Sequence, residues 1–283
     1  MTFSLAMLPR YAVMGILNVT PDSFSDGGAF EPAAAAIAHG HSLDAAGAAV
    51  VDVGGESTRP GAEPVDAETE RARVLPVVAA LAGGRAIVSI DTTKAVVADA
   101  ALRAGATLVN DVSAARFDAD MLDVVAEHDA GIVLTHMQGE PRTMQDHPQY
   151  DDVVAEVGEH LAARVQAALA AGVRRDAILV DPGIGFGKNM THNLTLLRHL
   201  DIVQQRAGAP LVVGASRKRF LGTVVDESGA IDLRARDDAT LATTVHAFSL
   251  GVHMVRVHDA APSVRAAQLL ELLHDADFGE VAS

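Results

Sequence analysis

Eight short apolar runs, each ending in polar residues and separated by helix-like segments, predict a single parallel (β/α)8 barrel in this chain of 283 residues. The runs are almost continuously apolar, which is typical of strands buried on both faces of a barrel. The alternation continues without a linker or a shift in composition. We therefore expect one domain over residues 1–283, with its core at about 12–275 between short terminal tails. The predicted strands are Val13–Asn18, Val50–Val53, Ile87–Asp91, Leu108–Asp111, Ile132–His136, Ile178–Asp181, Leu211–Gly214 and Met254–His258.

Helix signals fill the gaps between the strands. The first helix has Pro32 near its start and Gly47 just past its end, the order that helix termini favour. The second follows Asp66, whose side chain can accept hydrogen bonds from the N–H groups of the first turn. A polar segment at 224–236 indicates a surface excursion, and the residues after Asp275 indicate a frayed tail. The predicted helices are Pro32–Gly47, Asp66–Leu81, Lys94–Ala104, Asp118–His128, Asp151–Ala171, Thr191–Arg206, Asp237–Leu250 and Pro262–His274.

Composition argues against several classes of function. The formal net charge of −15 opposes binding to nucleic acid and to anionic membranes, so neither is expected as a partner. The chain has no cysteine, which excludes disulfides, thiolate chemistry and zinc–sulfur sites. Residues 1–10 lack the basic start and long apolar core of a signal peptide, and no apolar run reaches membrane-spanning length. We therefore expect a cytoplasmic enzyme.

Polar residues at the strand ends are expected to converge. In a parallel barrel all strands point their carboxyl ends at one rim, and that rim carries the chemistry. A polar residue at any one strand end could simply mark where the chain leaves the core, whereas a set at consecutive ends favours a site. The residues concerned are Asn18, Thr58, Asp91, Asn110, His136, Asp181, Lys218, Arg256 and His258.

The last two loops of the predicted barrel favour an anion. The chain has three lysines against nineteen arginines; we expect Lys94 to open a helix and Lys188 to border the pocket. Lys218 is the best candidate for ligand contact, because 216–219 is predicted at a helix start with free N–H groups and a positive dipole end. Arg256 and His258 alternate on one strand and so face the same side. The last two loops of such barrels frequently bind phosphate.

Two carboxylates at strand ends suggest a second kind of ligand group. Asp91 and Asp181, with Asn110 nearby, would be costly to bury without donors, and a flat heterocycle with adjacent N–H groups would supply them. Paired carboxylates also suit acid–base or glycosidase chemistry, and the spacing leaves that open. Asn18 is an oxygen ligand suited to Mg²⁺ that is bound mainly through substrate phosphates. The glycines of 181–188 do not match a dinucleotide fingerprint, but they would let the backbone approach a flat ring.

Eight longer segments carry most of these residues, and they are MGILNVTPDSFSDGG, DVGGESTRPGA, SIDTTK, NDVS, HMQGEPRTMQ, DPGIGFGKN, GASRKRFLG and RVHD, in that order. Together they resemble the dihydropteroate synthase family, pterin-binding barrel enzymes of folate biosynthesis that sulfonamides inhibit. The resemblance runs from Met14 to about Leu273. It implies a transferase that joins p-aminobenzoate to (7,8-dihydropterin-6-yl)methyl diphosphate and releases pyrophosphate. It also implies Mg²⁺, flexible first and second loops, and a homodimer formed through the later helices.

The resemblance further implies roles for individual residues. The catalytic set would be Asp91, Asp181, Lys218, Arg256 and His258. The pterin would be held by Asp91, Asn110, Asp181 and Lys218, with Met137 and Phe186 as walls. The diphosphate would be held by Thr58, Arg256 and His258, and Mg²⁺ by Asn18. The p-aminobenzoate pocket would be closed by Phe24, Asp26, Ser57, Arg59 and Pro60, with Ser216 receiving the carboxylate.

Three alternatives stand beside this hypothesis. A paralogue could keep the pterin site without the synthase activity, and a related pterin-binding methyltransferase would instead deliver a methyl group to a corrinoid protein. A non-catalytic phosphate-binding barrel is the third, but it leaves Phe24 and Arg59 unexplained. The long first and second loops and the complete Ser-Arg-Lys motif at 216–218 favour the synthase.

Overall fold

Eight parallel strands form a barrel in the computed structural model, which describes residues 2–20, 31–57, 63–139, 143–218, 220–222 and 233–275. The strands are β1 Ala12–Asn18, β2 Val50–Gly54, β3 Ile87–Asp91, β4 Leu108–Asp111, β5 Gly131–Thr135, β6 Ile178–Asp181, β7 Val212–Val213 and β8 Met254–Val257. They pair in the order β6-β5-β4-β3-β2-β1-β8-β7. A parallel bridge between Val180 and Leu211 joins the two ends of this order, so the barrel is nearly closed. The predicted fold class is confirmed.

Helices lie between consecutive strands. Their bounds are α1 Glu31–Ala45, α2 Ala67–Leu81, α3 Ala95–Arg103, α4 Met121–Glu127, α5 Val153–Ala170, α6 Met190–Arg198, α7 Leu200–Ala207, α8 Leu233–Ser249 and α9 Ala260–Asp275. Asp66 caps α2 by accepting a hydrogen bond from the Thr69 N–H at 2.9 Å, as the sequence predicts. Asp152 caps α5 by accepting from the N–H groups of Val154 and Ala155. Within the described part of the chain, no helix combines the length and apolar character needed to cross a membrane.

The predicted helix Thr191–Arg206 is in fact two helices, α6 and α7, that meet at His199 (φ −123°). The break leaves carbonyl groups in the last turn of α6 without helical partners. His246 on α8 donates from its Nε2 to the carbonyl oxygen of Leu197 at 2.9 Å and satisfies one of them. The contact joins residues far apart in the chain, so local sequence signals could not reveal it.

Three other boundaries differ from the prediction. The helix α8 begins at Leu233, so the last residues of the predicted surface excursion are helical; residues 223–232 and the predicted tail after Asp275 lie outside the described residues. The helix α9 begins at Ala260, which places Pro262 in the first turn, where a missing N–H costs nothing. Asp118 does not cap α4. Its Oδ2 accepts from the Ala95 N–H at 2.8 Å and caps the neighbouring α3.

The amino ends of β5 and β6 are covered by the segment that precedes β1. Phe3 is fully buried, and a Cβ built on Gly131 at the start of β5 would lie 2.3 Å from its ring. Glycine is therefore required at this position for the ring to pack against the strand. Arg174 donates to the carbonyl oxygen of Phe3 and fixes this segment. Because this end of the barrel is packed shut, the opposite rim is left for a ligand site.

Candidate active site

Three of the predicted residues lie side by side where neighbouring strands end. Parallel pairing places Asn18 opposite Gly54, Gly54 opposite Asp91, and Asp91 opposite Asn110. A Cβ built on Gly54 would lie 3.7 Å from Asp91 Oδ2 and 3.8 Å from Asn18 Oδ1. The glycine thus lets the two flanking side chains share the space above β2.

A buried carboxylate one layer below the rim connects these strand ends. Asp52 on β2 is 0% exposed, and its Oδ2 accepts from Arg256 Nε at 2.7 Å and from Asn110 Nδ2 at 2.9 Å. Arg256 also donates from Nη2 to Asp91 Oδ2 at 2.5 Å. One guanidinium from β8 therefore links carboxylates on β2 and β3. We call Asp52, Asp91, Asn110 and Arg256 the strand network.

In the strand network, burial and the nearest opposite charge shift the pKa values of Asp91 and Arg256 in opposite directions. Burial raises the pKa of Asp91 to about 7; the Arg256 guanidinium opposes this shift and the carboxylate of Asp52 adds to it. Burial alone would lower the pKa of Arg256, but Asp52 and Asp91 outweigh it and hold that pKa above its ordinary value. Arg256 therefore stays charged, while Asp91 can take up a proton near neutral pH.

A second group of predicted residues lies on the loop after β6. We call Asp181–Lys188 the glycine loop. Asp181 Oδ1 accepts from the Gly183 N–H at 2.6 Å, and Gly183 has φ +67°. A Cβ on Gly183 would lie 1.8 Å from the carbonyl oxygen of His136, so only glycine fits there. Burial raises the pKa of Asp181, although the Gly183 N–H and the Lys218 ammonium oppose the shift.

Lys218 lies against the glycine loop. Its Nζ donates to the carbonyl oxygen of Ile184 and lies 4.1 Å from the centroid of the Phe186 ring. A Cβ on Gly185 (φ +82°) would lie 2.8 Å from Lys218 Cδ, so this glycine permits the close approach. Burial lowers the pKa of Lys218 to about 8, with Asp181 opposing the shift. The ring and the ammonium together form a wall of the rim.

His136 lies beneath the glycine loop and supports it. Its Nδ1 lies 2.9 Å from Lys188 Nζ, which also donates to the carbonyl oxygen of Phe186 at 3.0 Å. Burial lowers the pKa of both His136 and Lys188. A neutral imidazole can then accept from the amine. Met137, which follows His136, is 1% exposed, so its side chain is buried.

Ser216 and His258 meet across the ends of β7 and β8. Ser216 Oγ lies 2.9 Å from His258 Nδ1 and accepts from the His258 N–H at 3.1 Å. The expectation of free N–H groups after Ser216 is wrong in two places. Arg217 donates its N–H to Thr240 Oγ1 at 3.1 Å, and Lys218 donates its own to the carbonyl oxygen of Ala215 at 3.3 Å. An anion here would have to bind mainly through side chains.

The base of the second loop is held by charged groups that the sequence did not mark. Lys94 opens α3 as predicted, and its Nζ also lies 2.6 Å from both Glu56 Oε2 and Glu70 Oε2. The other oxygen of Glu56 accepts from the Val65 N–H at 2.9 Å. Glu56 therefore joins both described ends of the loop. Ser57 is half-buried at the first of these ends.

Five predicted site residues lie outside the described residues, and they are Phe24, Asp26, Thr58, Arg59 and Pro60. Their predicted roles stay predictions.

The fit of Mg²⁺ can be judged from the donors present. Among the described residues no cluster of three or more His, Asp or Glu side chains could hold a metal ion. Asn18 is half-buried and offers a single amide oxygen at the rim. That donor fits only an ion whose other ligands are water and substrate phosphates, the usual situation of Mg²⁺.

Comparison with known proteins places this site in a family. The family model for pterin binding enzymes matches residues 14–258. A dihydropteroate synthase from a Synechocystis species is 44% identical over 93% of this chain and 90% of its own length. The chain belongs to the dihydropteroate synthase family. Family membership removes the non-catalytic phosphate-binding barrel as an alternative.

Two solved dihydropteroate synthases resemble the chain in structure. One is from Xanthomonas albilineans with 4-aminobenzoic acid, with 43% identity, a TM-score of 0.86 and coverage of 94% of both chains. The other is from Yersinia pestis in a sulfonamide drug complex, with 39% identity, a TM-score of 0.87 and coverage of 98% of both chains. The chain therefore has the same barrel fold as these two members of its family.

Asp52 is the residue of the rim that sequence reasoning missed. It lies inside an otherwise apolar strand, where an unpaired carboxylate would be costly. That cost was a usable signal, because a charge in a buried strand requires a partner on another strand. The partners themselves, on β4 and β8, follow only from the fold.

Proposed function

We infer that the chain is a dihydropteroate synthase, a transferase of folate biosynthesis that condenses (7,8-dihydropterin-6-yl)methyl diphosphate with p-aminobenzoate. The observation that carries this is the pair of buried carboxylates, Asp91 and Asp181, facing one rim from strands on different sides of the barrel. Each has one oxygen engaged, by Arg256 and by the Gly183 N–H respectively. The other oxygen of each is placed to accept from a ring with N–H groups.

The pterin takes the rim between the strand network and the glycine loop. Asp91, Asn110 and Asp181 accept from the N–H groups of the ring, and burial of these acceptors makes each hydrogen bond more valuable. Lys218 and Phe186 cover the ring from the side of β7, with Met137 as a further wall. A row of acceptors suits the N–H groups of a pterin better than the hydroxyl groups of a sugar, which disfavours glycosidase chemistry.

The diphosphate takes the side of β8. Arg256 uses Nε and Nη2 within the strand network, which leaves Nη1 for a phosphate oxygen. His258 and Thr58 complete the anion site. Asn18 would hold Mg²⁺ together with the diphosphate, and the ion would neutralise charge on the leaving group.

The reaction is a dissociative substitution. The bond between the pterin methylene and the diphosphate oxygen breaks, and the electron pair leaves with the diphosphate. The carboxylates that accept from the N–H groups of the ring stabilise the positive charge that develops on the pterin. The amine nitrogen of p-aminobenzoate then forms the new bond and gives up a proton. An arylamine needs no general base to trap such a cation, and Ser216 receives its carboxylate.

The residues predicted to close the p-aminobenzoate pocket are Phe24, Asp26, Ser57, Arg59 and Pro60, of which Ser57 lies among the described residues. Sulfonamides carry the same aniline end and compete for this pocket. Steady-state inhibition should therefore be competitive with p-aminobenzoate. Inhibition that p-aminobenzoate cannot reverse would show that the drugs bind outside this pocket.

The chain forms a homodimer through its last two helices. Large apolar side chains stand exposed on α8 and α9, and they are Val245, Leu269, Leu272 and Leu273. Leu272 is 70% exposed, a cost that a partner surface would remove. Light scattering of the wild type and of Leu272→Glu tests this, with a dimer expected in the first and a monomer in the second.

Pyrophosphate release is the experiment that tests the function. The purified protein should release pyrophosphate from the pterin diphosphate only when p-aminobenzoate is also present. An inactive paralogue would release none, and a corrinoid-dependent methyltransferase would leave the diphosphate intact. Either result would overturn the proposed function.

A further inference from the structure

Burial of the Asp52 carboxylate is energetically unfavourable, and its own hydrogen bonds compensate for this only in part. Its side chain is 0% exposed, and both of its donors, Arg256 and Asn110, approach the same oxygen, Oδ2. The second oxygen, Oδ1, is buried without a hydrogen-bond partner among the described residues. A half-satisfied buried carboxylate is destabilising, so it needs a reason to be present.

The first consequence of this carboxylate concerns Asn110. A side-chain amide has a donating and an accepting end, and either could face the ligand. A carboxylate can only accept, so the end of Asn110 at 2.9 Å from Asp52 must be the Nδ2 donor. Asn110 must then present its carbonyl oxygen in the other direction. Asp52 thus fixes Asn110 as an acceptor.

The second consequence concerns Arg256 and Asp91. Asp52 holds the Nε edge of the guanidinium at 2.7 Å, and the planar geometry of the group then directs Nη2 to Asp91 Oδ2. With that oxygen engaged, Asp91 offers its other oxygen to a ligand. The same buried carboxylate therefore orients two neighbouring acceptors on β3 and β4.

We propose that Asp52 is a positioning residue that sets the acceptor pattern of the pocket, so that the strand network selects a ring edge rich in N–H groups. The proposal rests on the proposed function, because it takes the ligand to be a pterin. A pterin carries an amino group at position 2, whereas a lumazine carries an oxo group there. A pocket that presents hydrogen-bond acceptors at this edge should reject the lumazine, because the oxo group at position 2 is itself an acceptor.

Asp52→Leu is the variant that tests this. A leucine offers no acceptor to Asn110, so the amide of Asn110 can turn and is no longer fixed as an acceptor. Asp52→Asn is the comparison variant. Because Arg256 can only donate, the asparagine keeps its amide oxygen where Arg256 Nε and Asn110 Nδ2 meet, and Asn110 stays fixed.

The probes are 6-hydroxymethylpterin and 6-hydroxymethyllumazine, titrated by calorimetry into the wild type and both variants. In the wild type, the pterin should bind roughly tenfold more tightly or better. In Asp52→Leu that preference should fall to a few-fold at most, and in Asp52→Asn it should stay near the wild-type value.

Ser89→Ala is the matched control. Ser89 pairs in register with Asp52, is also fully buried, and its hydroxyl makes no hydrogen bond in the described part of the chain. Its removal changes the same layer of the barrel without touching the strand network. The preference for the pterin should stay at the wild-type value.

Asp52→Asn also keeps the proposal testable if Asp52→Leu does not fold. A folded Asp52→Leu variant that keeps the wild-type preference overturns the proposal, as does a folded Asp52→Asn variant that loses it. A wild type that binds neither probe contradicts the proposed function instead, which separates the two failures.

Discussion

The strand network and the glycine loop reach the same rim by different means. The strand network is built from side chains on β2, β3, β4 and β8 and is held by charge, since Arg256 bridges Asp52 and Asp91. The glycine loop is held by backbone shape, with Gly183, Gly185 and Gly187 at φ between +62° and +82°. Substitutions in the first should change what is recognised, whereas substitutions in the second should change whether the pocket exists.

Gly183→Ala should have the largest effect. An added Cβ would lie 1.8 Å from the carbonyl oxygen of His136, and the backbone has φ +67°. We expect the free energy of unfolding to fall by about 3 kcal/mol or more, because steric overlap adds to backbone strain. Denaturant unfolding with pterin titration provides the measurement.

Gly208→Ala is the matched control for this change. Its φ is +68°, nearly the same, but an added Cβ would meet nothing within 4 Å. It should lose only about 1 kcal/mol, the cost of the left-handed backbone. Equal losses in the two variants would show that shape in the glycine loop is not what forms the pocket.

The pH dependence of pterin binding should come from the strand network. Burial raises the pKa of Asp91 to about 7, and a pterin N–H needs the ionised form as its acceptor. Affinity should therefore weaken as pH falls below 7, by up to about tenfold per unit. Calorimetry from pH 5.5 to 7.5 measures this, and the pH dependence of binding should be weaker in Asp91→Asn than in the wild type.

The stability of the unliganded protein should change with the opposite sign. The folded state binds the Asp91 proton more tightly than the unfolded chain, whose ordinary pKa is 3.8. This contribution to the free energy of unfolding is full below pH 3.8 and is lost as pH rises through about 7. A wild-type minus Asp91→Asn difference that rises over this range would contradict the assignment.

Glu56→Gln should have the smallest effect, because it lies outside both regions. It removes a partly exposed ion pair with Lys94, worth roughly 0.2–1 kcal/mol, while the amide oxygen can still accept from Val65. We expect the KM for p-aminobenzoate to rise a few-fold at most, with pterin affinity unchanged. An equal loss for both substrates would place the second loop at the pterin.

Much of the fold could be predicted because its signals are local. Continuous apolar runs marked the strands, and Asp66 marked the start of α2. The division between α6 and α7 could not be predicted, because no glycine or proline marks it in residues 191–206. The His246 side chain that satisfies the Leu197 carbonyl at this break comes from another helix. Asn18 and Asp91 could likewise be identified from the sequence, because each stands at the end of an apolar run, which is a local signal.

In the candidate site, the side-chain contacts could not be predicted from the sequence. A strand end is visible in the sequence, but the partner of a strand-end residue is not. Arg256 was expected to face an anion, yet two of its nitrogens are engaged by carboxylates on other strands. Arg217 belongs to the segment 216–219, which was expected to favour an anion, yet its side chain pairs with Asp237 through two hydrogen bonds at 2.7 and 2.9 Å.

The most direct test of the central claim is whether both regions hold one pterin ring. Equilibrium binding of 6-hydroxymethyl-7,8-dihydropterin, measured by calorimetry without p-aminobenzoate, separates recognition from turnover. Asp91→Asn and Asp181→Asn should each weaken binding by about 1.5–3 kcal/mol, because each replaces an acceptor with a group that also donates. Asp176→Asn, at the closed end of the barrel beside Ser4, should bind as the wild type does. Wild-type affinity in either Asp91→Asn or Asp181→Asn would contradict the account.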